Sequence, residues 1–253
     1  MTPTSPPAAS PEPPKPSALT LLLLAECASC RTSLPRLRPG LCPPCLLALA
    51  ALAPGRVGLR RAPPGLPPLA AGGVYGGVLR RAVLAYKEAD RRDLLPQLGE
   101  LLAGAVIAHG GASALVPVPT TFAGRRRRGW DHLAPLAKAA ARRLGVPVLR
   151  VLRARGRADS AGLGRDARLR GAVDAFAPRW GARRRLAGLP ETASLVLVDD
   201  VATTGATLAA ASRVLAGLGR RPVGAAVVAA TPLWDEIHPE RLRRSALPAS
   251  TWS

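Results

Sequence analysis

Lysine, aromatic residues and methionine are scarce in this 253-residue chain, and each scarcity removes a class of reading. The three lysines are Lys15, Lys87 and Lys138, and none stands in the Gly-Lys-Ser/Thr context of a Walker phosphate loop. Aromatic residues make up 3% of the chain, which leaves little for stacking bases along an extended surface. No run approaches the ~18 continuous apolar residues of a membrane-crossing helix, so a soluble chain is expected. The leucine-rich run from Leu19 to Ala25 behind Lys15 is short for a signal peptide, and Glu26 stands where cleavage needs a small residue. A cytoplasmic location follows as the expectation. Four cysteines, all between residues 27 and 45, are too clustered for an extracellular disulfide framework and suit a cytosolic metal site.

Positive charge is abundant: 36 Lys and Arg against 16 Asp and Glu give a net +20. Such a field favours anionic partners such as nucleic acid, phosphorylated metabolites or an anionic membrane surface. Nearly all of it is arginine in an Ala-, Gly- and Pro-rich chain, a bias that a GC-rich coding sequence explains equally well. Only basic clusters beside a motif are therefore informative.

Residues 1–17 are almost all Pro, Ser, Thr and Ala and read as a disordered tail. Residues 18–52 hold the leucine run and the cysteines. A Pro/Gly-rich stretch, 53–73, reads as a linker, and 233–253 as a C-terminal tail. Between them, residues 74–232 alternate helical and strand patterns. Helices are expected over Val78–Tyr86, Leu94–Ala108 and Asp131–Leu144, with Asp131 as cap. Strands are expected over Ser113–Pro119, Val146–Leu152, Ser194–Asp200 and Pro222–Ala230. A further helix carries Leu208, Ala211, Leu215 and Leu218 on one face and closes at Gly219. This alternation predicts an α/β fold with a parallel sheet covered by helices.

The most informative stretch runs from Leu195 to Thr207, LVLVDDVATTGAT. It reads as a buried strand ending in two carboxylates, then a small-residue turn into a helix, at the sheet edge where ligands of parallel sheets sit. Backbone N–H groups and hydroxyls of Thr203, Thr204, Gly205, Ala206 and Thr207 suit a phosphate. Asp199 and Asp200 can accept hydrogen bonds from the vicinal hydroxyls of a ribose whose 5′-phosphate fills the loop. Gly162 to Ala167 matches a loose dinucleotide pattern, but no strand leads into it.

Cys27-x2-Cys30-x11-Cys42-x2-Cys45 pairs two knuckles in the manner of a tetrahedral zinc site, with redox chemistry as the rival. Arg125 to Arg128 follow a strand and precede a helix, where guanidinium groups suit phosphate. A solvated basic run is the plainer reading for Arg125 and Arg126. His132 reads as a first-turn helix residue, and His109 and His238 have no motif around them.

The Leu195–Thr207 stretch closely resembles the PRPP-binding signature of type I phosphoribosyltransferases. The segments LVPVPTTFAGRRRRGWDHLAPLAKAAARRLGVPV and YGGVLRRAVLAYKEADRR, with four cysteines ahead of them, resemble the ComF family over about residues 18–231. That resemblance implies a phosphoribosyltransferase-like fold with a small N-terminal zinc-ribbon lobe, PRPP with Mg²⁺, structural Zn²⁺, and a link to DNA uptake in competence or to nucleotide metabolism. It places Pro117, Val118, Pro119, Arg128 and Lys87 at the pyrophosphate. The chain departs from the family at Asp131-His132, where relatives read Asn-Gln, and at Ser160 and Gly171 in the segment that carries Arg168 and Phe176. These departures bear on catalysis, so two readings stay open. One is a phosphoribosyltransferase with an unknown acceptor and no catalytic base identified. The other is a non-catalytic PRPP-sensing or single-stranded-DNA-binding accessory module, with DNA or a competence helicase as partner.

Overall fold

The computed structural model describes residues 24–35, 40–120, 130–155 and 175–231. Expectations about the two tails, Arg125, Arg126, Arg128, Ser160, Arg168, Gly171 and the Gly162–Ala167 pattern lie outside these residues.

Four parallel strands form the centre because each is a short, nearly continuous apolar run that can be buried on both faces. These are β4 (Leu69–Ala71), β5 (Ala114–Pro117), β8 (Leu195–Ala202) and β9 (Gly224–Ala230). With β3 (Gly55–Arg56) on the outside, antiparallel to β4, the order is β3-β4-β9-β8-β5. Register puts Pro117 opposite Val198, and Asp199 opposite Val227. Every residue of β9 is buried, as are Leu195 to Val198 of β8. The architecture is α/β.

Helix α3 (Leu95–His109) packs on β9, β4 and β3, and α4 (Leu133–Leu144) packs on α3, β5 and β8. Helix α6 (Ala206–Gly217) packs on β8 and on β7 (Phe176–Pro178), which pairs antiparallel with β6 (Leu152–Ala154) in a separate ribbon. A short helix α5 (Ala182–Ala187) follows that ribbon. Asp131 does bond the first turn of α4, its Oδ1 accepting the Ala134 N–H at 3.3 Å.

Two expectations need correction. The stretch 53–73 is no linker: it supplies β3 and β4, and β4 lies between β3 and β9 inside the main sheet. Its prolines misled the local pattern because Pro63, Pro64, Pro67 and Pro68 fall outside the ladder, where no N–H is required. The Pro68 carbonyl even accepts the Ala225 N–H at 2.8 Å. The strand expected over Val146–Leu152 is reduced to a bridge between Val148 and Leu115 and a turn into β6. Pro147 has no N–H to extend it, so only its carbonyl and the Leu149 N–H pair with Leu115, at 3.0 and 2.8 Å.

The N-terminal lobe contains the antiparallel pair β1 (Leu24–Glu26) and β2 (Ser33–Pro35), then α1 (Pro43–Ala50). It shares the main core: Cys27, Leu34, Leu41, Cys42, Cys45 and Leu49 belong to the same buried cluster as the sheet. Its neighbour is α2 (Gly77–Glu88), followed by a 3-10 turn at Arg92–Leu94. Arg91 clamps the lobe, donating to the Glu26 carbonyl at 2.9 Å and the Gly40 carbonyl at 3.2 Å while paired with Asp93. Arg81 donates to Ser29 Oγ at 3.0 Å.

Candidate functional site

Strand β8 continues two residues past the acidic pair, so Asp199 and Asp200 lie within the strand and point to opposite faces. Alternation gives the two carboxylates different surroundings. Asp200 is buried, and both of its oxygens are engaged. Its Oδ1 accepts the Val201 N–H at 2.6 Å. Its Oδ2 meets Lys87 Nζ at 2.7 Å and His132 Nε2 at 2.5 Å. Asp199 is half-buried; its Oδ1 accepts the Asp200 N–H at 2.8 Å, and among the described residues its Oδ2 has no such partner.

The electrostatics diverge accordingly. Burial pushes the Asp199 carboxyl well above the ordinary range, and the neighbouring Asp200 charge adds to the rise. Burial also works against ionisation of Asp200, but the hydrogen bond from His132 and the charge of Lys87 outweigh it and hold the group at about 2. In this structure Asp200 is the partner of Lys87 and His132, and Asp199 is the less engaged of the two carboxylates.

His132 is the residue that motif reasoning missed. It precedes α4, is 3% exposed, and among the described residues its Nδ1 has no hydrogen-bond partner. Its backbone carbonyl accepts the Tyr86 hydroxyl at 2.7 Å, and Trp130 packs edge-on to both rings. Arg92 lies over the outer part of this cluster, 4.8 Å from the Trp130 ring centre. The usable signal was adjacency: Tyr86-Lys87 on α2 and Trp130-Asp131-His132 before α4 are two short polar-aromatic groups that converge on one carboxylate. Lys87, expected at a pyrophosphate, is an ion-pair partner of Asp200 here.

The turn from β8 to α6 is three residues long. Thr203, Thr204 and Thr207 are exposed, and Ala206 donates its N–H to Thr204 Oγ1 at 3.3 Å. Gly205 caps α6 at φ 73°, a left-handed conformation open to glycine. A Cβ there would fall 2.9 Å from both Leu66 δ-carbons and 3.0 Å from Leu59 Cδ1. The stretch expected as a linker therefore floors the loop. Exposed hydroxyls and free N–H groups at a helix start, with a partly open carboxylate beside them, form a cradle for a phosphorylated sugar.

Pro117, Val118 and Pro119 leave β5 next to this loop, and the Val118 N–H is bonded to the Val198 carbonyl at 3.0 Å. Both expected segments thus share the carboxyl end of the sheet. Residues 134–240 match the family model of the phosphoribosyl transferase domain. The domain is phosphoribosyltransferase-like. The match spans less than half of the chain and takes in α4, β8, the loop and β9. No curated protein matches the chain.

Apart from the phosphoribosyltransferase-like domain, the four cysteines gather as a second candidate site. Their Sγ atoms all lie within 4.8 Å of one another, and no disulfide joins them. Tetrahedral zinc with bonds of ~2.3 Å needs sulfur separations of about 3.8 Å, which this cluster reaches by small adjustments. Cys42 precedes α1 and Cys45 lies in its first turn, while Cys27 and Cys30 bracket the turn after β1, so two knuckles face each other. Among the described residues, no helix is long and apolar enough to cross a membrane.

Proposed function

We propose that the chain is a PRPP-binding protein of the ComF type, acting as a phosphoribosyltransferase in nucleotide metabolism or DNA uptake in the cytoplasm. The observation that carries the reading is the exposed Thr203–Thr207 loop beside the open Oδ2 of Asp199. The loop receives the 5′-phosphate through Thr203, Thr204, Thr207 and the first N–H groups of α6. Asp199 Oδ2 accepts the ribose hydroxyls, and binding favours its ionised form. Asp200 serves this site from behind, as the anchor that Lys87 and His132 hold in place. Pro117, Val118 and Pro119, with Arg128, border the pyrophosphate.

Mg²⁺ bound with PRPP disperses charge on the pyrophosphate oxygens. In transfer, the bond from ribose C1 to pyrophosphate breaks and a nucleophilic acceptor bonds to C1. Cys27, Cys30, Cys42 and Cys45 hold a structural Zn²⁺ that ties the knuckles together. The connection to competence rests on the ComF-like segments around Lys87 and Arg128.

Calorimetric titration with Mg-PRPP tests the reading. Asp199→Asn loses a charge-assisted acceptor and weakens binding by roughly 10- to 100-fold, the equivalent of ~1.5–3 kcal/mol. Equal affinity in wild type and variant refutes the assignment. Pyrophosphate release in the presence of candidate bases then separates an enzyme from a binding module.

A further inference from the structure

Strand β5 pairs with β8 on one side and is bridged to Val148 on the other. On that second side lies a cavity of about 480 Å³, within the ~300–1,000 Å³ range of small-molecule sites. Buried Val118, Leu133 and Leu152 supply apolar wall. Arg150, Arg153, Arg179 and Arg185 reach it from separate stretches of chain, against one lining carboxylate, Asp131. Arg150 is paired with Asp131 at 3.2 Å, and Arg185 donates to the Arg150 carbonyl at 3.2 Å, so this wall is braced. The charge excess in the cavity is strongly positive.

At its rim stands Trp180, 96% exposed. The turn is closed by the Ala182 N–H on the Arg179 carbonyl at 3.0 Å, with the indole exposed at its corner. The flat indole face of Trp180, beside a cationic cavity, is placed to stack on a planar ligand.

We propose that this cavity binds a planar anionic ligand of mononucleotide size, a heterocycle carrying a phosphate or carboxylate. Its ring lies on Trp180 and its anionic group is held by Arg179 and Arg185. No residue of the Thr203–Thr207 loop lines the cavity, so the site is separate from the ribose-phosphate cradle and shares with it only the Pro117–Pro119 edge.

The test is calorimetric titration of the full chain with UMP, with uridine and inorganic pyrophosphate as the ring and the charge alone. Saturable UMP binding that persists in Asp199→Asn, where the ribose-phosphate cradle is impaired, is expected, with both halves binding far more weakly. Trp180→Ala should weaken UMP by roughly 5- to 100-fold, as loss of one base–aromatic stack implies. Arg179→Ala, another exposed position, should weaken UMP and pyrophosphate together. Affinity for Mg-PRPP and the circular dichroism spectrum should stay unchanged in Trp180→Ala. Absence of saturable UMP binding overturns the proposal. Pyrophosphate binding as tightly as UMP, with Trp180→Ala without effect, also overturns it and leaves a bare anion site. A thymidine decamer that binds through Trp180 when UMP does not would overturn it in favour of a strand-binding surface.

Discussion

Replacing each member of the acidic pair by asparagine should move stability in opposite directions. Asp200 has a folded-state pKa near 2, against an ordinary value of 3.8, because His132 and Lys87 favour its charge. A depression of that size corresponds to roughly 2–3 kcal/mol of stability at neutral pH. A carboxyl depressed in the folded state contributes fully above its unfolded pKa, and the contribution is lost as pH falls towards 2. Asp200→Asn also leaves Lys87 and His132 around a neutral amide, and breaking a buried pair costs ~3–5 kcal/mol when one partner is lost outright. A loss of about 2–4 kcal/mol is therefore expected at pH 7, or a melting point lower by roughly 4–16 °C. For Asp199 the sign reverses. Its carboxyl is raised, so the unfolded chain ionises first and stability declines as pH rises from ~3.9 through the folded pKa. Asp199→Asn removes that penalty and should leave the protein as stable as wild type, or more stable, at pH 7. Thermal melts of the three proteins from pH 3.5 to 8 check this. The Asp200→Asn deficit should shrink at the acid end, and any Asp199→Asn gain should appear only above pH 4. Equal destabilisation by the two substitutions at pH 7 would refute the separation of roles.

Three further outcomes follow from the packing. Gly205→Ala meets a left-handed φ and the Leu59 and Leu66 side chains, so it should cost more than ~1 kcal/mol and weaken Mg-PRPP; urea unfolding and titration measure both. The purified protein should carry about one zinc per chain by metal analysis, and Cys27→Ser should release it. Because three of the lobe's four cysteines, Cys27, Cys42 and Cys45, lie in the main core, that release should also lower the melting point of the whole domain; a zinc-free protein of unchanged stability would contradict it. Arg91→Ala should unclamp Glu26 and Gly40 and raise amide exchange in the lobe, with the sheet strands unaffected.

What could be read beforehand was what the chain encodes locally. Apolar runs of β-branched and small residues announced β5, β8 and β9, and the Thr/Gly turn into α6 announced the loop, because burial on both faces and anion binding at a helix start leave compact traces. The stretch 53–73 failed for the opposite reason. Its strands are two and three residues long, β3 pairs only with β4, and the other partners of β4, Ala225 to Val227, lie more than 150 residues away, so no local period records them. Gly and Pro density described the connections correctly and concealed the pairing between them.

The candidate site divides along the same line. Two adjacent aspartates look equivalent in sequence, yet alternation along a strand sends neighbours to opposite faces, and only the fold decides which face holds cations. Lys87, from α2, and His132, from the start of α4, both converge on Asp200, and they are 45 residues apart. His132, which reads in sequence only as a residue in the first turn of a helix, supplies a ring nitrogen 2.5 Å from the buried carboxylate. That contact also explains why the pair can include a buried charge at all. With Lys87 and His132 both on Asp200, Asp199 is the less engaged carboxylate, and the Asp200 N–H and the charge of Lys87 offset only part of its cost of ionisation. If Asp199 faces the ligand as proposed, a ligand that brings hydroxyl donors and a cation to it should offset a cost of ionisation that the empty protein bears.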